Sequence, residues 1–388
     1  MFKINIRRES FGGTLFNLEN GRRYYVNNAE LDSIINYMIF PNDIIIPKNI
    51  KRDEIKLVDN SNIISNNHFS FMDIAFLEVT RKCNLYCKHC LNDSGKCLDN
   101  ELSDLEIKKI IKDFSKNGVQ DIRFTGGEPL LNPHIYEYIK LATDNGIYAS
   151  IGTNGTLITK DVAKKLKESG LKKAVISIDG SETTHDLIRG KGNYLKAMDG
   201  VKNLIDEGVN VRINSVIMKS NMDDVIELAK EMHKKQIHIF LRRFIESGRG
   251  ENLKDNMLLS ADYDYVREQL KEELKDKYVI GHYLKDASTK KSRIDLPFDI
   301  KGCKAGKRAL AVMANGDIQL CGFLYSQGVK PVINTREIDD WIDFWNSIQI
   351  DDKLVDLKNS LDKYNQIPGI QKTYCLAYIQ LMKNRGNL

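Results

Sequence analysis

The residues best suited to chemistry lie within one run of eight, Cys83-Asn84-Leu85-Tyr86-Cys87-Lys88-His89-Cys90. Three thiolates at C-x3-C-x2-C spacing can hold three irons of a [4Fe–4S] cube, since such clusters take cysteine sulfur almost exclusively. The cube has four irons, so the fourth is left without a protein ligand and can bind something else. Two plainer uses of the thiols stand beside this one. Zinc wants four ligands and usually C-x2-C pairs; here the first gap is three residues, and His89 stands tightly against Cys90. A disulfide framework belongs to secreted chains. Seven cysteines, an odd number with three clustered, suit a reducing cytoplasm instead.

Something must hold that run in place. The preceding stretch, Phe71 to Thr80, is rich in apolar and β-branched residues and reads as a strand. The cysteines then occupy the loop leaving it, where (β/α) folds place their chemistry. From there strand and helix signals alternate. Ser103 with Glu106 forms a capping box for a helix through about Lys116. Strands follow at Asp121–Phe124, Ile147–Ile151, Ala174–Ile178, Val209–Ile217 and Ile237–Arg242. Helices around 134–145, 159–169, 193–207 and 222–235 separate them. The class is α/β, with six parallel strands over about residues 71–250.

Strand ends carry glycine and polar residues. Thr125-Gly126-Gly127-Glu128-Pro129 follows the second strand; its glycines allow close backbone approach to a ligand and Glu128 supplies an acceptor. Taken alone it is also an ordinary turn. Gly152-Thr153-Asn154-Gly155-Thr156 and Ser177-Ile178-Asp179-Gly180 end the third and fourth strands. There Thr159 or Asp179 serves as readily to cap a helix as to touch a ligand. Gly248-Arg249-Gly250 reads as a turn.

The cysteine run, followed one strand later by Gly-Gly-Glu-Pro, resembles the signature of the radical S-adenosylmethionine (SAM) enzymes. The resemblance implies a partial (β/α)6 TIM-like barrel, open on one side. It also implies SAM chelating the open iron through its amino and carboxylate groups, and its reductive cleavage to methionine and a hydrogen-abstracting 5′-deoxyadenosyl radical. Carried over by residue, Cys83, Cys87 and Cys90 are the cluster ligands. His89 stands where the family usually has an aromatic residue and becomes a neighbour of the adenine. Gly126, Gly127, Glu128 and Pro129 form the motif that meets the methionyl amino group. Asn154, Ser177 and Asp179 become neighbours of SAM, and Asn214 on the fifth strand a ribose contact. Arg189 lies in His185-Asp186-Leu187-Ile188-Arg189-Gly190, a segment common in the peptide-modifying branch. It pairs with a carboxylate of SAM or with a structural acid such as Asp179. An electron donor such as flavodoxin or ferredoxin is implied too.

Two regions flank the barrel. In residues 1–70, runs Phe11–Phe16 and Arg22–Val26 are joined through Asn20-Gly21, a hairpin signal. Asn27 or Asn28 then caps a helix bearing Leu31, Ile34, Ile35 and Met38, ended by Pro41, and Asn60–Asn67 reads as a linker. This is either a small cap on the barrel or, by resemblance of Arg7 to Gly13 with the hairpin and helix, a winged-helix-like α+β recognition domain. Such domains take a leader peptide as an added strand at a sheet edge. Residues 251–388 open with a charged helix over 262–277. Then come Cys303, a hairpin of Ala309–Met313 and Ile318–Leu320 around Asn315-Gly316-Asp317, Cys321, and Cys375 in a final helix. This hairpin-plus-helix extension resembles the SPASM or twitch auxiliary-cluster region. A full SPASM region has seven cysteines and this one has three, implying one auxiliary [4Fe–4S] cluster on Cys303, Cys321 and Cys375 with a vacant or borrowed fourth position. Buried free cysteines are the plainer reading. Cys97 reads as a free thiol, with hydrogen donation to a radical as its alternative.

Length and composition set the outer bounds. A chain of 388 residues holds two or three units. Hydrophobic content of 42% and charged content of 29% are ordinary for a globular protein. The net charge of +5 is spread along the chain; it could attract an acidic peptide but does not require nucleic acid. The N-terminus, Met1 to Arg8, has no apolar signal region, and no stretch approaches a membrane span. The resemblance therefore implies a cytoplasmic radical SAM maturase of a ribosomal precursor peptide, closing a thioether or carbon–carbon cross-link. Cross-linking sheds an electron that an auxiliary cluster can accept, whereas epimerisation needs only a returned hydrogen atom. Peptide epimerisation and sulfatase-maturase-like oxidation of a protein side chain are the alternative enzymes. A non-enzymatic iron–sulfur or zinc protein is the other class.

Overall fold

The computed structural model describes residues 1–37, 50–60, 68–273, 279–281, 303–325, 327–349, 352–366 and 375–384. Two sheets organise them. The first has the order β3-β2-β1-β4, built from β1 (Ile4–Glu9), β2 (Gly12–Asn17), β3 (Arg23–Val26) and β4 (Ile55–Val58). β4 runs parallel to β1 and the other pairs are antiparallel. The turn into β2 needs glycine: Gly12 has φ +131° and a Cβ there would lie 2.3 Å from Val26 O. Helix α1 (Asn28–Tyr37) follows, and Asn27 and Glu30 exchange the two bonds of a capping box. Ile4, Ile6, Leu15, Val26, Leu31 and Ile34 make a separate small core. The expected hairpin joins β2 to β3. Met38, Pro41 and most of the expected linker lie outside the described residues.

The second sheet carries the barrel. Strands β5 (Ile74–Glu78), β6 (Asp121–Thr125), β7 (Tyr148–Thr153), β8 (Lys173–Ser177), β9 (Asn210–Ile217) and β10 (His238–Arg243) are parallel neighbours in that order. Helices α2 (Asp104–Lys116), α3 (Ile135–Asp144), α4 (Lys160–Glu168), α5 (Glu182–Arg189), α6 (Asn193–Asp206) and α7 (Met222–Lys234) connect them. Period-2 alternation sorts the strand residues. Ala75, Leu77, Ile122, Phe124, Ile151, Ile176, Ile213 and Leu241 pack on the helices, where each buried branched side chain contributes about 1.5–3 kcal/mol. Phe76, Arg123, Lys173, Ser177, Arg212, Asn214, Phe240 and Arg242 alternate with them and so occupy the inner face.

The sheet continues past the six expected strands. After α8 (Ser260–Gln269), β11 (Val279–Gly281) adds parallel to β10 at one end. At the other, β12 (Ala309–Val312) adds parallel to β5, and β13 (Asp317–Gln319) and β14 (Ile333–Asn334) follow antiparallel. The C-terminal hairpin expected as a separate extension is thus continuous with the barrel sheet, and it supplies hydrogen-bond partners to what would be the bare edge of β5. Helices α9 (Gly322–Tyr325), α10 (Trp341–Gln349), α11 (Asp352–Gln366) and α12 (Leu376–Asn384) complete this region. Among the described residues no helix is long and apolar enough to cross a membrane.

One buried carboxylate joins the three regions. Asp73 meets Arg7 Nη2 at 2.9 Å, Arg308 Nε at 2.7 Å and Arg23 Nε at 3.5 Å. Burial pushes its pKa up, but Arg23, Arg308 and Arg7 together hold it well below the usual carboxylate range. Arg7 also donates to Met72 O and Gly118 O, and Gln120 to Thr14. Asn5 donates to Gly146 O, and Phe16 packs edge-on against Tyr148. All these barrel residues lie at or just before the N-terminal ends of β5, β6 and β7. The N-terminal sheet is therefore seated at the end of the barrel opposite the cysteine loop.

Candidate active site

The loop leaving β5 folds back on itself. Cys83 N–H donates to Gly95 O, and Cys90 N–H to Cys87 O. Each cysteine sulfur meets a donor: Leu85 N–H on Cys83 Sγ at 3.4 Å, Ser94 N–H on Cys90 Sγ at 3.4 Å, and Arg189 Nη1 on Cys87 Sγ at 3.8 Å. Burial pushes the Cys83 thiol up to about 11, with Leu85 N–H opposing and Glu128 and the two other cysteines adding. Burial likewise raises Cys87 against the pull of Arg189. Protonated, half-sequestered thiols make poor free nucleophiles. Three sulfurs with N–H and guanidinium donors aimed at them do fit a cluster, whose sulfur charge such donors stabilise. His89 is turned away from the sulfurs as far as bonding goes, which counts against a zinc site: its Nε2 bonds Asp179 Oδ2 at 2.7 Å.

The Gly-Gly-Glu-Pro run presses directly on this loop. A Cβ on Gly126 would lie 2.1 Å from Thr80 O, and one on Gly127 2.3 Å from Lys82 O. Gly127 N–H donates to Thr80 O and Glu128 N–H to Lys82 O, both at 2.8 Å. In the structure, then, the close approach the glycines permit is to the cysteine loop's own backbone. Glu128 is fully buried; it accepts from Thr153 Oγ1 at 2.7 Å, Leu130 N at 3.2 Å and Asn154 N at 2.8 Å. Burial pushes its pKa up to about 7 while those donors pull the other way. Pro129 opens a single 3-10 turn. Asn154 donates to Asn84 Oδ1 at 2.9 Å, tying the end of β7 to the cysteine loop.

Asp179 sits at the centre of a second network. Its Oδ2 accepts from His89 Nε2 and from Arg189 Nε at 2.6 Å, and its Oδ1 from Val216 N–H at 2.8 Å. Of the two partners expected for Arg189, the structure shows the structural acid. Asp179 itself, expected beside SAM, has both oxygens bonded within the protein. Its carboxyl is held below the ordinary range by Arg189 and His89 despite full burial. Ser177 and Asn214 are register partners on the inner face. His89 Nδ1 and Asn214 Oδ1 are buried polar atoms with no partner in the protein, available to a ligand.

One clamp on the cysteine loop is not announced by the sequence. Gly248 and Arg249, read as a turn, close on the cysteine loop: Arg249 Nε donates to Cys87 O at 2.8 Å, its N–H to Cys90 O and its Nη1 to Ser94 O at 2.9 Å. A Cβ on Gly248 would lie 2.4 Å from Leu91 O. The available signal was the position of this Gly-Arg-Gly at the end of the sixth strand. Cys303, Cys321 and Cys375, far apart in sequence, lie within electrostatic reach of one another: burial drives the Cys321 thiol up to about 12, and Cys303 and Cys375 add to it. These three could hold a second metal group. Cys97 is exposed, with its Sγ 4.0 Å from Thr80 Oγ1.

Comparison with known proteins agrees with this geometry. The pattern of the Radical SAM superfamily matches residues 77–232. The AdoMet-dependent heme synthase of Nitratidesulfovibrio vulgaris is 32% identical over 268 residues, spanning 64% of this chain and 72% of that protein. Mycofactocin maturase MftC of Mycolicibacterium smegmatis is 31% identical over 256 residues, 63% of each chain. The crystal structure of Streptococcus suis SuiB bound to S-adenosylmethionine superposes with a TM-score of 0.70 at 20% identity, covering 98% of this chain and 96% of that one. At that identity the superposition speaks for a shared fold. The cysteine loop, the Gly-Gly-Glu-Pro contact and the extent of the sequence match together place this chain in the radical SAM superfamily, which implies SAM and a [4Fe–4S] cluster.

Proposed function

We propose that this chain is a radical SAM maturase that cross-links a ribosomal precursor peptide through a thioether or carbon–carbon bond. The observation that carries the reading is a cysteine loop built for a cluster, in a chain whose N-terminal sheet is part of the same whole-chain fold likeness. The SuiB structure bound to precursor peptide SuiA covers 91% of this chain at a TM-score of 0.67. Cys83, Cys87 and Cys90 would hold the cluster that, with SAM and an electron from a flavodoxin or ferredoxin, supplies a 5′-deoxyadenosyl radical. Asp179 and Arg189 hold His89 and Cys87 in position, and Gly126 to Pro129 fix the loop from the β6 side. Asn154 links the loop to β7, and Ser177 and Asn214 offer polar contacts on the inner face. Cys303, Cys321 and Cys375 would hold an auxiliary [4Fe–4S] cluster, an acceptor for the electron that bond closure releases. β3 and β4 are the edges of the N-terminal sheet, and either offers backbone N–H and C=O groups to a leader strand.

A second reading has its own observation: the relative matched over 72% of its length is named a heme synthase, so a tetrapyrrole substrate is the alternative. One experiment separates them. A synthetic leader segment, in excess, should inhibit modification of a precursor peptide encoded beside the gene. A peptide left unmodified, with turnover of iron coproporphyrin III by the same preparation, would replace the maturase reading with the tetrapyrrole one.

A further inference from the structure

The inner face of the barrel sheet holds more positive charge than the protein neutralises. Arg123 on β6, Lys173 on β8, Arg212 on β9 and Arg242 on β10 alternate with the helix-packed residues of their strands and are all half-buried. Registers connect them across the sheet: Phe76 with Arg123, Arg123 with Ser150, Ser150 with Lys173, Val175 with Arg212, and Val216 with Arg242. Aromatic rings lie between the charges. The Arg123 guanidinium is 5.5 Å from the Phe76 centroid, and Arg212 and Arg242 are 5.2 and 5.8 Å from Phe240; Arg242 is also 5.8 Å from Phe323.

Among the described residues none of the four makes an ion pair. Arg212 Nε and Arg242 Nε are buried without any hydrogen-bond partner. Asp121, at the N-terminal end of β6, is the one carboxylate whose charge acts on Arg123, Lys173 and Arg212. Burial, then mutual repulsion, pulls Lys173 down to about 8 and Arg212 to about 9, while Arg242 faces Cys321 and Cys375 as well as Arg123. Cation–π contacts return about 0.5–2 kcal/mol each, less than the several kcal/mol that desolvating an unpaired ion costs. Groups left in that condition are matched when a ligand brings the opposite charge. A guanidinium fork fits a carboxylate with two parallel bonds, and flat apolar rings can line the rest of the molecule.

We propose that the barrel lumen is a carboxylate-binding chamber, and that the part of the substrate drawn into it carries carboxylates held by Arg123, Arg212, Arg242 and Lys173. SAM alone does not fill this role. It has one carboxylate, whereas four cations on four strands face the lumen. The chamber rests on the maturase reading only for its source of carboxylates: aspartate or glutamate side chains, or the C-terminus, of the peptide.

The test is direct binding to the anaerobically reconstituted full chain, read by fluorescence anisotropy. Four probes are compared: a labelled hexapeptide of alternating Glu and Ala with an amidated end, its Gln counterpart, the Gln peptide with a free C-terminus, and coproporphyrin III by its own emission. At least one carboxylate probe should bind ten or more times tighter than the all-amide peptide and weaken steeply with added salt. Arg123→Gln and Arg212→Gln should each lose at least tenfold, and Arg212→Lys should recover most of it. All-amide binding as tight as acid binding, or Gln variants that melt like wild type and bind unchanged, would overturn the chamber. The acid-against-amide comparison stands on wild-type protein even if a variant fails to fold. Arginine-dependent binding of coproporphyrin III alone supports the chamber and overturns the peptide source. Unchanged KM for peptide modification in both Gln variants overturns the chamber and leaves the maturase reading intact.

Discussion

Replacing Asp179 by asparagine removes one charge from a carboxylate that three elements share. His89 reaches it from the cysteine loop, Arg189 from α5, and the Val216 amide from β9. Asparagine can keep the Val216 bond through its oxygen. Its amide group, however, would then face two donors, leaving Arg189 buried with no anion. Removing one partner of a buried pair costs about 3–5 kcal/mol, which in a domain of this size lowers Tm by roughly 6–20 °C. The consequence for the site is larger than for the fold. Arg189 also supports Cys87 Sγ, so anaerobic reconstitution should return clearly less iron per chain than wild type. Arg189→Met combined with Asp179→Asn removes both charges and should be less destabilised than the two single changes added together, by about 0.5–3 kcal/mol. Thermal unfolding of the four proteins in the cycle, with iron and sulfide content, reads both effects. A single Asp179→Asn variant that melts with wild type and retains a full cluster, or a strictly additive cycle, would refute the role given to this carboxylate.

Other consequences follow from the same geometry. Gly126→Ala places a Cβ against Thr80 O at φ +144°, so it should cost about 1–3 kcal/mol and reduce iron content, measured after reconstitution. His185 is buried and its pKa is pushed down to about 4, by burial first and Arg189 second. Its contribution is therefore fully present above about pH 6.5 and is lost as pH falls towards 4, by about 3 kcal/mol in all. The urea midpoint difference between wild type and His185→Asn should shrink over that window, and a constant difference would argue against it. Asp73→Asn leaves Arg7, Arg23 and Arg308 without their shared acid and should loosen the N-terminal sheet from the barrel. Limited proteolysis should then cut near residue 60 faster than in wild type.

The barrel was legible because its signals are local. Alternating apolar strands, capped amphipathic helices and a tight cysteine spacing each sit within a dozen residues. What escaped depends on contacts distant in sequence. β1 was not recognised because Asn5, Arg7 and Glu9 interrupt its apolar pattern; all three are buried where the sheet meets the barrel, and Arg7 bonds Asp73. The hairpin of β12 and β13 was legible, but its pairing with β5 joins residues some 235 positions apart, which no local pattern encodes. Gly126 and Gly127 stand out in the sequence for close backbone approach to a ligand; the neighbour they admit within the fold is Thr80 to Lys82. Arg249 looked like part of a turn because its partners, Cys87, Cys90 and Ser94, lie more than 150 residues upstream.

The most direct test of the maturase reading is the intact mass of a precursor peptide encoded beside the gene, co-expressed anaerobically with the wild-type enzyme and with Cys83→Ala. Wild type should remove two mass units per bridge, placed by fragmentation, and Cys83→Ala should remove none. A gain of one unit per site in deuterium oxide, with no change in water, would replace cross-linking by epimerisation. A peptide unchanged in both solvents, made by enzyme that cleaves SAM normally, would contradict the peptide reading itself.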